Sequence, residues 1–264
     1  MAELRICPLK SSSKGNATVI YNKKTKILVD CGISGKVLEE CLKNAGILPQ
    51  ELAAVVVTHE HTDHTKGVGV ISRKLNIPVF ATSGTWQGIK GSLGKIDPEN
   101  IQHINVGECF YINDIKVQSF EIPHDAKEPV GYVFESNGER VAVATDMGRV
   151  SETVLEVLKG CRAVLLEANY DPFMLDAGSY PYELKRRIRG DYGHLCNDDS
   201  GIVAKILAQS GTAEIILGHM SEENNFPQIA LETVKACLEG MEVKLSAACL
   251  EGVIDCRKYS DHNI

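Results

Sequence analysis

Residues 58–67 read THEHTDHTKG and directly follow the apolar run LAAVVV at 52–57. The run has the length and β-branched content of a buried strand, and the polar segment after it reads as a tight loop at the strand's end. Strand ends are where α/β proteins place their sites, so this juxtaposition constrains fold and chemistry together. His59 and His61, two positions apart, can converge on one metal ion, and Asp63 and His64 can face a second beside it. One histidine in such a loop would read as an ordinary solvated or core side chain. Three histidines and an aspartate within six positions read as metal ligands.

Four ligands do not complete two coordination spheres, so further histidines or carboxylates are expected at later strand ends. His124 follows the apolar stretch 115–122 in IPHDA, Asp146 follows 140–145 in ATDMG, and His219 follows 214–217 in LGHMS. H-x-H-x-D-H followed by a distant His, Asp and His resembles the hallmark of the metallo-β-lactamase-fold hydrolases, and the resemblance extends over essentially the whole chain. It implies an α/β protein built as a four-layer αββα sandwich. It also implies one ion held by His59, His61 and His124, another by Asp63, His64 and His219, and Asp146 bridging them. His61 stands where the oxygen-reducing di-iron members carry glutamate, which argues against a redox role. Histidine and carboxylate ligands suit zinc or manganese, with iron also compatible. Two such ions about 3.5–4 Å apart would hold a bridging water whose pKa falls from about 15.7 towards about 7, so no side-chain nucleophile is needed. Consistently, the chain has no G-x-S-x-G elbow, and nothing marks Cys31 or Cys196 as activated.

Short β-type runs at 4–7, 18–21 and 26–29 suggest an antiparallel start. The spacing of Val37, Leu38, Cys41, Leu42 and Ala45 predicts a helix over 35–45, closed by Gly46. Beyond the histidine loop we expect a helix at 68–74 and strands at 78–81, 108–112, 115–122, 130–135 and 140–145. The second half alternates: helix 151–158, strand 163–167, helix 199–208, strand 214–218, helix 227–238 and a terminal strand at 243–247. No repeat or linker interrupts this series, so 1–264 is read as a single hydrolase domain.

The formal net charge of −7 repels polyanions overall, so any nucleic-acid contact must come from a local patch or from bound cations. Nine cysteines, scattered and never spaced C-x-x-C, argue for reduced thiols and against a cysteine zinc site. The opening MAELRICPLK lacks the apolar core of a signal peptide, and no segment reaches the roughly 18 apolar residues of a membrane span. A cytoplasmic location with no membrane partner is therefore expected.

Three stretches bear on the substrate. SSSKGN at 11–16 is a small-residue loop between early strands; Ser13 and Asn16 can offer polar contacts to phosphate, or the loop is a plain turn. YPYELKRRIRGDYGHLCNDD at 180–199 holds the densest basic patch, Lys185, Arg186, Arg187 and Arg189, just before His194. Asn197 there can cap the helix expected from Asp199, although Asp198 and Asp199 would satisfy that dipole themselves. SEENNFP at 221–227 places Asn224 and Asn225 near His219, as substrate contacts or as turn formers.

These stretches resemble a narrower branch, the bacterial YycJ/WalJ-type proteins. The shared features are the serine–glycine–asparagine loop, E-x-N-Y/H-D at 167–171, Y-P-x-x-L-K-x-R-I at 180–188, G-H-L-x-N at 193–197 and the late N-N-x-P; Cys196 replaces the usual serine. The resemblance implies a metal-dependent phosphodiesterase, a DNA exonuclease working from the 5′ end in DNA repair, with DNA preferred over RNA. Asp63 and His194 are the catalytic candidates, His194 as phosphate contact or proton donor. Two rivals remain open at this level: a small-molecule thioester or lactam hydrolase on the same ligands, and a non-catalytic regulatory module. The 73 positions from Asp146 to His219 leave no room for a large cap domain, so an open site is expected, with the basic segment guiding the strand.

Overall fold

A computed structural model of the chain describes residues 4–248. Its first sheet begins as an antiparallel meander of β1 (Arg5–Ser12), β2 (Gly15–Tyr21) and β3 (Lys26–Val29). It continues in parallel through β4 (Leu52–Val56), β5 (Val79–Thr82) and β6 (Ile101–Ile104). The crossovers carry α1 (Gly35–Asn44), α2 (Thr62–Thr65), α3 (Val68–Leu75) and α4 (Ser83–Gly88). The second sheet repeats the plan. Its antiparallel strands are β7 (Cys109–Ile112), β8 (Ile115–Glu121), β9 (Val130–Ser136) and β10 (Glu139–Ala144). Parallel strands β11 (Ala163–Glu167), β12 (Glu214–Gly218) and β13 (Lys244–Ala247) follow. Between them lie α5 (Glu152–Leu158), α6 (Pro172–Ala177), α7 (Tyr182–Arg189), α8 (Asn197–Gln209) and α9 (Pro227–Cys237).

A strand in a covered parallel sheet buries both faces, which is why LAAVVV is apolar without alternation. Ala54 and Val56 join Ile27, Val29, Tyr132, Phe134, Val141 and Leu165 in a core between the two sheets. Val55 and Val57 point the other way, into a second core with Leu38, Leu42, Val68 and Ile71. Ala142, Ala144, Val164 and Leu166 likewise turn from the central core towards Val203, Leu207, Ala230 and Val234 of α8 and α9. Helices, sheet, sheet and helices are thus stacked in the expected αββα order.

Several expectations change. β1 and β2 run further than expected and close at Ser13 and Lys14, because Ser11 and Ser12 pair across to Asn16 and Gly15. The loop at 11–16 is therefore a hairpin tip. β6, α2, α4 and α6 were not anticipated; α2 and α6 are too short to show a helical period. The helix expected from Asp199 begins at Asn197, and its cap is Cys196, whose side chain accepts from the Asp199 N–H. Cys31, Cys41, Cys109, Cys161, Cys196 and Cys237 are free thiols as expected, but Cys7 is disulfide-bonded. Cys249 and Cys256 lie outside the described residues. No helix among these residues is long and apolar enough to cross a membrane.

Candidate metal centre

The site forms where both sheets present the ends of β3, β4, β10, β11 and β12. Asp30 directly follows β3, Asp146 lies just past β10 and His219 directly follows β12; all three adopt left-handed backbone, with φ of 57°, 61° and 53°. This conformation is uncommon for residues other than glycine and persists only where the surroundings hold it. For His219 the hold is visible: its N–H donates to Ser11 Oγ at 2.8 Å, and its carbonyl accepts from Asn169 Nδ2 at 2.7 Å.

The histidine loop is clamped from beneath by residues 30–33. Cys31 N–H donates to His64 O at 2.8 Å and Gly67 N–H to Cys31 O at 2.7 Å. The approach demands glycine at 32, where a Cβ would sit 1.5 Å from Asp63 O. Asp30 then reaches into the loop, accepting from Thr58 N and Oγ1 and from His64 Nδ1, each at 2.8 Å.

Each ligand histidine shows the same division of labour: one ring nitrogen is anchored and the other converges. His64 is anchored through Nδ1 to Asp30, His124 through Nδ1 to Gly193 O at 3.2 Å, and His219 through Nδ1 to Glu167 Oε1 at 3.0 Å. His59 Nε2, His61 Nδ1 and His124 Nε2 face one another, with separations of 3.0 Å and 3.3 Å from His61 Nδ1 to the other two. Two ligands on one ion about 2.0–2.1 Å away stand about 3.0–3.4 Å apart, so these spacings are those of a metal's coordination edges. Asp63, His64 and His219 form a second group. Asp146 lies between them: Oδ2 is 3.4 Å from His64 Nε2, and Oδ1 is 3.3 Å from His219 Nε2 and 3.8 Å from His124 Nε2. Asp146 Oδ2 and His219 Nε2 are buried without a hydrogen-bond partner, which an ion would supply. These residues fit a metal.

The charge pattern agrees. Burial, reinforced by neighbouring histidines, holds His59 well below the usual histidine range, and burial lowers His124 despite Asp146. Both are neutral donors with a free lone pair. Burial also opposes charge on His64, but Asp146, Asp30 and Asp63 outweigh it and keep the imidazole well above its ordinary value. Asp63 and Asp146 resist the upward push of burial because the facing histidines hold them ionised. The metal-free second group therefore stores protons where a cation belongs.

The sequence model of the beta-lactamase superfamily domain matches residues 25–220. The chain belongs to the β-lactamase superfamily. Among curated superfamily relatives, it is 39% identical over 236 residues to Exodeoxyribonuclease YycJ of Bacillus anthracis, covering 89% of each chain. It is 37% identical over 228 residues to Exodeoxyribonuclease WalJ of Streptococcus pneumoniae, covering 86% of this chain and 85% of that one. The metallo-β-lactamase fold protein YhfI from Bacillus subtilis superposes with a TM-score of 0.74 at 12% identity, over 95% of this chain and 99% of that one. The resemblance to the YycJ/WalJ branch and the αββα fold are thereby established.

For this superfamily member the structure gathers all seven expected ligands, with His194 beside them. His194 Nδ1 donates to Glu167 Oε1 at 2.8 Å, and its ring lies 5.2 Å from those of His124 and His219. Asn16 is also at the centre, with Nδ2 3.1 Å from His64 Nε2. Ser13 and His194 line a cavity of 310 Å³ beside the metal groups. The remaining assignments need correction. Asn197 and Asn225 are buried and exchange side-chain hydrogen bonds at 3.0 and 2.9 Å, so they tie α8 to the loop after β12 and meet no substrate. Asn224 is buried too, within a turn built on Ser221. The basic segment does not form a free patch. Lys185 donates to Asp176 O and Gly178 O, closing the end of α6; Arg189 pairs with Asp176 at 2.6 Å; Arg186 pairs with Glu183 at 2.9 Å. Only Arg187 of the four lines the cavity, paired there with Asp125 at 2.5 Å. Asp30 and Glu167 are additions to the site, and each has the signal that found the ligands: an acid at the end of an apolar run, in KILVD and AVLLE.

Proposed function

We propose that the chain is a metal-dependent phosphodiesterase, a 5′-to-3′ DNA exonuclease acting in DNA repair in the cytoplasm with two divalent ions, zinc or manganese. The observation that carries this reading is the 39% identity to Exodeoxyribonuclease YycJ over 89% of both chains, in a protein whose ligand set is complete. A thioester or lactam hydrolase would use the same ligands, but both curated relatives are named exodeoxyribonucleases. A retired scaffold would not keep seven buried polar ligands converged.

Two divalent ions here would lower the pKa of a water to near neutrality and offset charge on the phosphoryl oxygens. His59, His61 and His124 are disposed to hold one, and Asp63, His64 and His219 the other, with Asp146 within reach of both groups. His194 has its Nδ1–H fixed on Glu167, which leaves Nε2 towards the cavity to contact the phosphate or to pass a proton to the departing oxygen. Glu167 is fully buried and accepts from Met147 N as well, so the imidazole is oriented by a carboxylate that cannot itself turn away.

The test is incubation of the purified protein with 5′- and 3′-labelled single- and double-stranded oligonucleotides and manganese or zinc, beside an Asp63→Ala control. Metal-dependent digestion from the 5′ end, absent in the control, is expected. No cleavage of any of them would remove the nuclease reading.

A further inference from the structure

The cavity beside His194 has a second face that catalysis does not use. We propose that it is a terminal-nucleotide pocket, taking one 5′-phosphorylated nucleotide so that the enzyme sheds mononucleotides one at a time. This rests on the nuclease reading above.

At 310 Å³ the cavity stands at the small end of the roughly 300–1,000 Å³ of single-ligand sites, which suits one nucleotide and excludes a stacked run of bases. Its walls come from separate parts of the fold: the β1–β2 tip on one side and α7 on another. The α7 helix presents Leu184 and Ile188, one turn apart, with Arg187 between them, while Lys185, Arg186 and Arg189 are engaged elsewhere. Tyr180 lines the same space and, with Ile188, packs against the small buried cluster of Tyr170, Leu175 and Cys196. An aromatic ring and two aliphatic chains on a firm backing make a surface on which a base packs without regard to its identity.

Two cations share the pocket, and each carries its own counter-ion. Arg187 Nε is 2.5 Å from Asp125 Oδ2, and Lys14 Nζ is 2.6 Å from Glu222 Oε2. A terminal phosphate entering here competes with those carboxylates for the same donors. Base wall, cation pair and His194 at the metal side together complement the three parts of a terminal nucleotide: base, end phosphate and scissile link. A bare anion site would need no apolar wall, and a through-groove would need a longer track.

The full-length protein, loaded with manganese, is given a uniformly labelled 5′-phosphorylated oligonucleotide, its 5′-hydroxyl counterpart and bis(p-nitrophenyl) phosphate. Mononucleotides are expected as the first products, with slower digestion of the 5′-hydroxyl strand. Leu184→Trp, which fills the pocket, should lower the ratio of oligonucleotide to small-diester hydrolysis by about tenfold or more, the scale of losing one stacked base. First products of two or more nucleotides, from the unaltered protein, would overturn the proposal, as would an unchanged ratio in Leu184→Trp. Hydrolysis of the small diester with no oligonucleotide cleaved at all would instead remove the nuclease reading beneath it.

Discussion

Glu167 Oε1 accepts a hydrogen bond from His194 Nδ1 at 2.8 Å, and the same oxygen lies 3.0 Å from His219 Nδ1. One buried charge thus orients a metal ligand and the candidate proton donor together. Glu167→Gln keeps the shape and removes the charge, so both imidazoles lose their common anchor. Metal affinity is expected to fall about 10–100-fold, the usual scale for the partner of a ligand histidine. The turnover rate at saturating metal should fall as well. Metal titration with kinetics at each loading checks this; an unaltered titration curve and rate would make Glu167 a packing residue only.

His194→Ala separates the two roles. Its Nδ1 faces Glu167 and its ring borders the cavity, outside the His59, His61, His124 triad. Metal content should stay near that of the unaltered protein while the turnover rate drops by about 10²–10⁴-fold. Unchanged cleavage would take His194 out of the mechanism.

Asp30 supports the second ligand group from the far side of His64. Asp30→Asn is compatible with the left-handed backbone at φ 57° but replaces a carboxylate acceptor. The expected result is about 10–100-fold weaker binding of an ion with the fold intact, read by metal titration beside circular dichroism. Wild-type affinity would show that Thr58 and the loop alone hold His64.

The metal-free protein should have a pH-dependent stability of defined sign. Burial opposes charge on His219, yet Asp146, Asp63 and Glu167 push its pKa up to about 10. An unfolded histidine titrates near 6.5, so the folded state binds the proton more tightly. That stabilisation is complete below about pH 6.5 and is lost progressively as pH rises towards about 10. Metal binding needs the same nitrogen deprotonated and removes the effect. Urea midpoints measured with a chelator should therefore fall between pH 6.5 and 9; equal midpoints would contradict the pairing.

Asn225 now has a structural role to be tested. Its amide holds Asn197, donates to Ala168 O at 2.9 Å and accepts from Phe226 N–H at 2.9 Å. Asn225→Ala strands buried polar groups at about 1–3 kcal/mol apiece. A lowered thermal midpoint is expected with KM for DNA little changed. A raised KM at unchanged stability would restore Asn225 to the substrate.

The legible parts of this protein share one property: the signal is local. An apolar run followed at once by His or Asp marks a strand and its end in the same few residues, and it gave His59, His61, Asp63, His64, His124, Asp146 and His219. The same rule applied to KILVD and AVLLE reaches Asp30 and Glu167. Short helices escaped because α2 and α6 offer 4 and 6 residues to a 3.6-residue period.

What failed was every inference about which polar side chain is free. Arg187 meets Asp125 across 62 positions, and Asn197 meets Asn225 across 28. A run of arginines looks the same in sequence whether solvated or paired, and an asparagine looks the same in a turn or a core. The sequence by itself determined the family, the layered fold and the ligand set, because strand period and ligand identity are written residue by residue. Only the tertiary structure decided which charges are neutralised, which amides are sealed inside and where a pocket opens. Those depend on burial and on partners brought together from distant segments, and hydrogen bonding acts on distance in space and not on distance along the chain.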